Sequence, residues 1–292
     1  MERVKLGRTG IEVSKMGIGT GTTHPSGVFA QSLLEKRELA EVLIYAFENG
    51  INFWDTAFQY HTYPHIREAL KEVKRSDIVL VTKLTTAETK ATIRDFESSL
   101  KDLGTDYFDV CLIHGVRKES EFKKRMGALE ALLKLKHEGK IRAVGLSSHG
   151  LSALRAGTKI PEIDVVWARI NYAGIYMDTC KLFLYDELSS VPCLKKCVKF
   201  LPDVIKIAIQ KKPSSQKLTS RECEEVEDTL KKIHAQSKGV IGMKVLLEGH
   251  LVRDLEKALT YVKGLPFVDA FIVGMMNKKE VEENCKIISS RS

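Results

Sequence analysis

The amino-acid sequence predicts a (β/α)8 TIM barrel, entered through an N-terminal β-hairpin and carrying a long insertion after its sixth strand. Three observations predict it. Short apolar runs alternate with amphipathic helical stretches along almost the whole chain, which argues for a parallel sheet. The apolar runs are continuous rather than alternating, as strands are when both faces are covered. Eight such pairs fit within 292 residues, a length at which one barrel closes.

The elements follow in order. "VKLGRTGIEVS" is a hairpin around the turn Gly7-Arg8-Thr9-Gly10. "KMGIGT" is the first barrel strand, and "LEKRELAEVLIYAFENG" is a helix with an apolar stripe stopped by Gly50. "INFW" pairs with helical "HIREALKEV", and "DIVLVTK" with "KATIRDFESSLKDLG", which Gly104 ends. "YFDVCLIH" pairs with one helix, "FKKRMGALEALLKLKHEG", and "IRAVGLS" with "LSALRAG". The sixth strand, "IDVVWARI", waits for its helix, "RECEEVEDTLKKIHAQSKG", until an insertion over about 179–220 has passed. "VIGMKV" with "VRDLEKALTYVKG" and "VDAFIVG" with "KKEVEENCKII" complete the eight. An open doubly wound sheet fits less well, because "GIGTGTTH" is a poor match to G-x-G-x-x-G and no helix follows it at once. The expected organisation is one barrel domain over 1–288 and a tail at 289–292.

Composition narrows the partners. No apolar run is long enough to span a bilayer, and "MERVKLGRTG" lacks a secretory apolar core, so a cytoplasmic protein is expected. The net charge of +8 comes from 46 basic against 38 acidic residues, well interleaved. Basic runs such as "CLKKCVKF" read as solvated faces rather than a nucleic-acid surface, and the balance favours anionic ligands, phosphorylated cofactors included. Of six scattered cysteines only Cys193 and Cys197 are close, spaced C-x-x-x-C. Free thiols are the simpler reading, and no metal is expected.

In a barrel of this kind chemistry gathers at the C-terminal ends of the strands. Asp55 follows the second strand and Tyr60 lies in the loop beyond it, while Lys83 ends "DIVLVTK" and His114 ends "YFDVCLIH". Singly, each has an ordinary role: a lysine opening a polar loop, a satisfied histidine, a capping aspartate, a packed tyrosine ring. Jointly they suggest one chemistry. A phenol of reference pKa near 10 donates poorly at neutral pH unless its anion is stabilised. Lys83 would lower Tyr60, Asp55 would hold the ammonium, and His114 would orient the substrate oxygen. Protonating a carbonyl oxygen also requires reducing equivalents, hence a nicotinamide cofactor.

On these residues the chain resembles the aldo-keto reductase family. "LGRTGIEVSKMGIGTG" is similar to its hairpin and first strand, and "DTAFQY", "VTK" and "LIHG" to the segments carrying its catalytic tetrad. "KIRAVGLSSHG", "GVIGMKVLLEG" and "FIVGMMNKKEVEEN" resemble three of its cofactor segments. The resemblance implies a tetrad of Asp55, Tyr60, Lys83 and His114, and a bound NAD(P)(H). It implies Ser147, with Ser148, at the carboxamide, and Arg169 or Asn171 beside the nicotinamide. Met243, Lys244, Val245 and Leu246 would approach the pyrophosphate, with Lys244 as counter-charge. Glu283 and Asn284 would lie on the adenine side, where two polar residues on an exposed helical face are the ordinary alternative. Gly19, Thr20, Asp55 and Gly274 complete the cofactor set.

Two departures from the family pattern stand out. His61 follows Tyr60 where glycine is usual. After the eighth strand, Gly274, Met275 and Glu280 stand where NADPH-preferring relatives place phosphate-gripping residues, and Lys278 or Lys279 would have to substitute. Family habit favours NADP(H), and NAD(H) is the alternative. The expected function is reduction of small aldehydes and ketones. A catalytically weak nucleotide-binding barrel serving as a regulatory or scaffold subunit is the second reading, and a Schiff-base aldolase using Lys83 the third. The chain is compatible with a monomer or a homo-oligomer.

Overall fold

The computed structural model describes residues 1–24, 28–175, 177–178 and 217–290. The expected insertion at about 179–220 therefore lies, for most of its length, outside the described residues, as do the last two residues of the tail. Strands β1 (Arg3–Lys5) and β2 (Glu12–Ser14) form the antiparallel hairpin. Eight further strands follow: β3 (Met16–Gly19), β4 (Phe53–Asp55), β5 (Val79–Leu84), β6 (Phe108–Val116), β7 (Ile141–Ser148), β8 (Val165–Arg169), β9 (Gly239–Met243) and β10 (Ala270–Gly274). They pair in parallel in sequence order, and β10 closes on β3, so the barrel is complete.

The helices α1 (Lys36–Glu48), α2 (Tyr63–Ala69), α3 (Thr89–Leu103), α4 (Glu119–Lys123), α5 (Met126–His137), α6 (Leu151–Thr158), α7 (Ser220–His234), α8 (Leu255–Lys263) and α9 (Lys278–Ser289) are arranged around the barrel. The single helix expected after β6 is two helices. Arg125, at the break, leaves helical geometry and donates through its guanidinium to the His114 carbonyl at 2.5 Å, which ties the loop to the strand it left. Helix α7 starts at Thr219, whose side chain accepts from the Glu222 amide while the Glu222 carboxylate accepts from Thr219 N, a reciprocal cap.

Pleating sends successive side chains to opposite faces. One set fills the barrel, with Phe53, Val79, Val81, Val110, Leu112, Ala143, Val165, Trp167, Ile241, Met243 and Ile272 in a single buried cluster. Leu6, Ile11 and Val13 of the hairpin join that cluster, so the hairpin plugs the barrel floor. The other set, including Trp54, Leu80, Cys111, Val144 and Val166, packs under the helices. The alternation that places Phe53 inside places Asp55 inside. Likewise Val79 and Val81 lead to Lys83, Val110 and Leu112 to His114, and Val165 and Trp167 to Arg169. The inward face thus turns from apolar to charged at the C-terminal rim.

Candidate active site

Asp55 and Lys83 face each other across β4 and β5, the ammonium 2.5 Å from Asp55 Oδ2 and 2.8 Å from the Thr56 carbonyl. Both are almost wholly buried. Burial drives the Asp55 carboxyl up and the Lys83 ammonium down, each toward its neutral form, and the partner's charge opposes this in both. The short bonds from Lys83 to Asp55 and Thr56 stand in for the water that burial removes.

Tyr60 reaches the same place from a loop. A 3₁₀ turn (Phe58–Tyr60) follows Ala57, and His61 closes it in the left-handed region at φ 58°. His61 adopts the backbone that explains the usual glycine. Thr62 anchors the turn, sharing hydrogen bonds of 2.9 Å with the hydroxyls of Thr20 and Thr56. The Tyr60 ring lies against Gly21, where an added Cβ would stand 2.2 Å from ring carbon Cε2, and against Phe29, with centroids 4.5 Å apart. Its hydroxyl is 3.4 Å from His114 Nε2, and Lys83 Nζ is 5.0 Å from its ring centroid.

The electrostatics differ from the sequence expectation, in which Lys83 lowers Tyr60. Burial raises the Tyr60 hydroxyl above its ordinary value, Asp55 and Glu248 add to the rise, and Arg169 opposes it. Two of the three Lys83 N–H groups go to Asp55 and Thr56, and Nζ lies over the Tyr60 ring instead of bonding its oxygen. His114 is pushed well below its usual value by burial, then by Lys83, Arg125 and Lys244, and is neutral at pH 7. Its other nitrogen, Nδ1, is 3.0 Å from Gln59 Oε1. His114 also lies inside β6 rather than at its end, where Gly115 and a register shift between Ile113 and Val116 bend the strand.

Beside this group lies a cavity of about 290 Å³. Of the residues the sequence marked for a cofactor, Gly19, Asp55, Met243, Lys244, Val245, Leu246, Gly274, Glu283 and Asn284 line it, as do Tyr60 and Lys83. Others stand apart. Thr20 is buried in the hydroxyl cluster under Tyr60. Ser148 falls on the outward face of β7, its hydroxyl donating to the carbonyls of Val116 and Gly150. Ser147 lies within 3.8 Å of Met243 Sδ. Asn171 closes its own turn, donating to the Ile175 carbonyl and accepting from the Ile175 amide. Arg169 contacts His149 at 3.1 Å.

At the far end of the cavity, Lys278 pairs with Glu41 at 3.0 Å and Lys279 lies 3.8 Å from Glu283. Glu280 lines the wall, its carboxylate accepting from the Met276 amide at 2.8 Å and from Asn277 Nδ2 at 2.9 Å. Sequence reasoning did not mark Trp167, Glu248, Gln59 or Phe29 as site residues. Trp167 was discoverable, because the inward register of β8 places it one pleat below Arg169.

The residues suit a nicotinamide dinucleotide. The cavity is long enough to touch the ends of β3, β4, β9, β10 and the start of α9, and its walls are mostly apolar. Gly274 lets Thr22 approach so closely that a Cβ there would stand 2.1 Å from Thr22 Oγ1. Lys244 brings a cation for a pyrophosphate, paired at 2.6 Å with Glu248, which Thr23 also holds at 3.1 Å. Lys244, Leu247 and Glu248 all take left-handed backbone in this strip, strain of the kind that collects at ligand sites. Among the described residues there is no cluster of three or more metal-ligating side chains, and no helix is long and apolar enough to cross a membrane.

A closed barrel with a buried carboxylate–lysine pair, a tyrosine and a neutral histidine at its C-terminal rim defines an oxidoreductase-type site. The model described as Aldo/keto reductase family matches residues 15–291, and the chain belongs to that family. Among curated relatives, an NADH-specific methylglyoxal reductase of Escherichia coli is 27% identical over 59% of this chain and 59% of its own. An L-galactose dehydrogenase of Arabidopsis thaliana is 26% identical over 97% of this chain and 87% of its own. The match spans only about half to three-fifths of the first such relatives, 50% for "Probable aldo-keto reductase 1" of Glycine max. Of solved structures, the holo form of an aldo-keto reductase from Bacillus halodurans superposes with TM-score 0.69 at 18% identity, covering 100% of this chain and 92% of its own.

Proposed function

We propose that the protein reduces small aldehydes and ketones to alcohols with a nicotinamide cofactor, and that it prefers NADH. The reading treats residues 1–288 as one catalytic barrel of the cytoplasm. The observation that carries it is the buried Asp55–Lys83 pair beneath Tyr60 and His114, on the wall of a cavity suited to a dinucleotide. Tyr60 keeps its proton at working pH because burial and Asp55 hold it there, and it gives that proton to the carbonyl oxygen. The Lys83 ammonium below the ring stabilises the phenolate left behind. Neutral His114 places Nε2 beside the phenol oxygen and orients the substrate oxygen against it. Gly21 and Phe29 cover the ring and keep water from it. The cofactor, when bound, supplies the hydride.

Preference for NADH rests on the α9 end of the cavity. Glu280 sets a carboxylate where NADPH would bring a 2′-phosphate, and Lys278 and Lys279 face carboxylates of their own. This replaces the preference for NADPH drawn from family habit. The relative from Escherichia coli is NADH-specific, which supports the same choice.

A catalytically weak, regulatory barrel is the second reading, and one observation favours it: the ammonium bonds Asp55 and Thr56 rather than the Tyr60 oxygen. The two separate in one experiment, oxidation of NADH and NADPH against a panel of small carbonyls that includes methylglyoxal. Tyr60-dependent turnover, faster with NADH, supports the reductase. Binding of cofactor with no turnover of any carbonyl sinks it. Glu280→Arg should move the preference toward NADPH, and an unchanged ratio would place phosphate discrimination elsewhere.

A further inference from the structure

Adjacent residues of one turn address both nitrogens of the His114 ring. The Tyr60 hydroxyl stands 3.4 Å from His114 Nε2, and Gln59 Oε1 stands 3.0 Å from His114 Nδ1. The Gln59 amide is anchored in turn, its nitrogen donating to Thr85 Oγ1 at 2.8 Å just beyond β5. The His114 backbone is fixed as well, by the Arg125 guanidinium on its carbonyl. Gln59 thus ties the turn that carries Tyr60 to the exits of β5 and β6.

These contacts decide where the imidazole proton sits. His114 is neutral, because burial and the charges of Lys83, Arg125 and Lys244 all disfavour its cation, so it has one N–H and one bare lone pair. With the Gln59 amide nitrogen committed to Thr85, the atom turned to Nδ1 is a carbonyl oxygen, which only accepts. Nδ1 therefore carries the hydrogen, and Nε2 is left as the acceptor facing the Tyr60 hydroxyl. The Lys83 ammonium acts in the same sense. It stands 5.0 Å from the centroid of the Tyr60 ring, which meets the imidazole on its Nε2 side, and a cation there favours a lone pair over an N–H.

We propose that Gln59 is a positioning residue, holding His114 as the Nδ1–H tautomer with Nε2 an acceptor for the Tyr60 hydroxyl. The resting phenol is then aimed at Nε2. An arriving carbonyl oxygen finds no hydrogen on His114 and accepts the one on Tyr60, so the imidazole steers the substrate by leaving it a single donor. This consequence rests on the reductase reading above, whereas the tautomer does not. Neither Gln59 nor His114 lines the cavity suited to the dinucleotide, so the device acts on the carbonyl and not on the cofactor.

The test uses the full chain without cofactor, in a long-range ¹H–¹⁵N spectrum that tells a protonated imidazole nitrogen from a bare one. The sequence holds eight histidines, and His114→Asn identifies the His114 signals. Wild type should show Nδ1 protonated and Nε2 bare at neutral pH. Gln59→Leu removes the acceptor and should transfer the hydrogen to Nε2. Gln59→Glu, which offers Nδ1 only oxygens, should keep it on Nδ1. In turnover, Gln59→Leu should lower kcat about tenfold, one ordinary hydrogen bond, and leave NADH affinity unchanged. A wild-type spectrum with Nε2 protonated and Nδ1 bare overturns the proposal, because the amide would then be turned round with Thr85 donating to it. So does a Gln59→Leu variant that keeps the wild-type pattern or the wild-type kcat. If wild type turns over no carbonyl, the reductase reading fails and the steering role with it, and the spectrum still decides the tautomer.

Discussion

The floor and the rim of the barrel are built by the same strands, and they use the inward-facing positions in opposite ways. At the floor, Val79, Val110 and Phe53 meet Leu6, Ile11 and Val13 of the hairpin in a dry cluster. One or two pleats further along, β4, β5 and β6 present Asp55, Lys83 and His114. The floor lowers the free energy of folding by removing apolar surface from water, about 25 cal/mol per Å². The rim raises it, because each buried charge gives up hydration that only a well-formed ion pair replaces. Stability made at one end of a strand is used at the other to hold titratable groups where water would otherwise level them.

The sharpest way to break that contrast is Tyr60→Phe. Turnover should fall by about 10²–10⁴ while the melting temperature changes little, since only a hydroxyl with one long contact is lost. Equal turnover would remove Tyr60 from the chemistry. Next comes Lys83→Met, which leaves Asp55 buried without its cation and should cost about 3–5 kcal/mol in denaturant melts. Leu112→Ala, one pleat below His114, should cost a similar 2–5 kcal/mol or so for a different reason, an apolar cavity. The two separate in the double variant Asp55→Asn/Lys83→Met. Removing both charges should recover part of the loss, and failure to recover it would mean that the pair is not ionic.

Gly21→Ala has a smaller expected effect, about 1–3 kcal/mol, because the new methyl would meet the Tyr60 ring. Its signature should be lost turnover out of proportion to lost stability, because the ring must turn away. Turnover that stays at the wild-type level would mean that the ring need not lie against the Gly21 backbone.

Smallest is the response to acid. His114 and His149 are both held well below the ordinary histidine value, chiefly by burial. The unfolded chain therefore binds protons that the folded one refuses, and stability falls as pH drops below about 6.5. Each histidine should contribute up to about 1.4 kcal/mol per pH unit there. Melting curves of His114→Asn should show a shallower slope over that range. A slope equal to wild type would mean that His114 takes up its proton in the folded state.

How much of this was legible in the chain differs by element. Short continuous apolar runs disclosed the strands and the 3.6 period disclosed the helices, because a strand covered on both faces buries every position while a surface helix buries one stripe. Asp55, Lys83 and His114 were legible because an apolar run ending in an ionisable residue marks a strand's exit into the rim. The split of one expected helix into α4 and α5 was not, since it follows from Arg125 reaching a carbonyl on another element. Nor was the retirement of Ser148, whose face depends on where β7 enters the sheet.

The order of elements, the closed barrel and the identity of the ionisable rim residues were thus determined by sequence alone, through the alternation of continuous apolar runs with amphipathic stretches. Tertiary structure decided the rest: that the Lys83 ammonium bonds Asp55 and Thr56 rather than the Tyr60 oxygen, and that Lys278 and Lys279 turn to carboxylates while Glu280 faces the cavity. The physical reason is that hydrogen bonds and ion pairs are short-range and exclusive. A pattern of residue types fixes which groups stand near one another, and only the packed chain determines which of them remain available to a ligand.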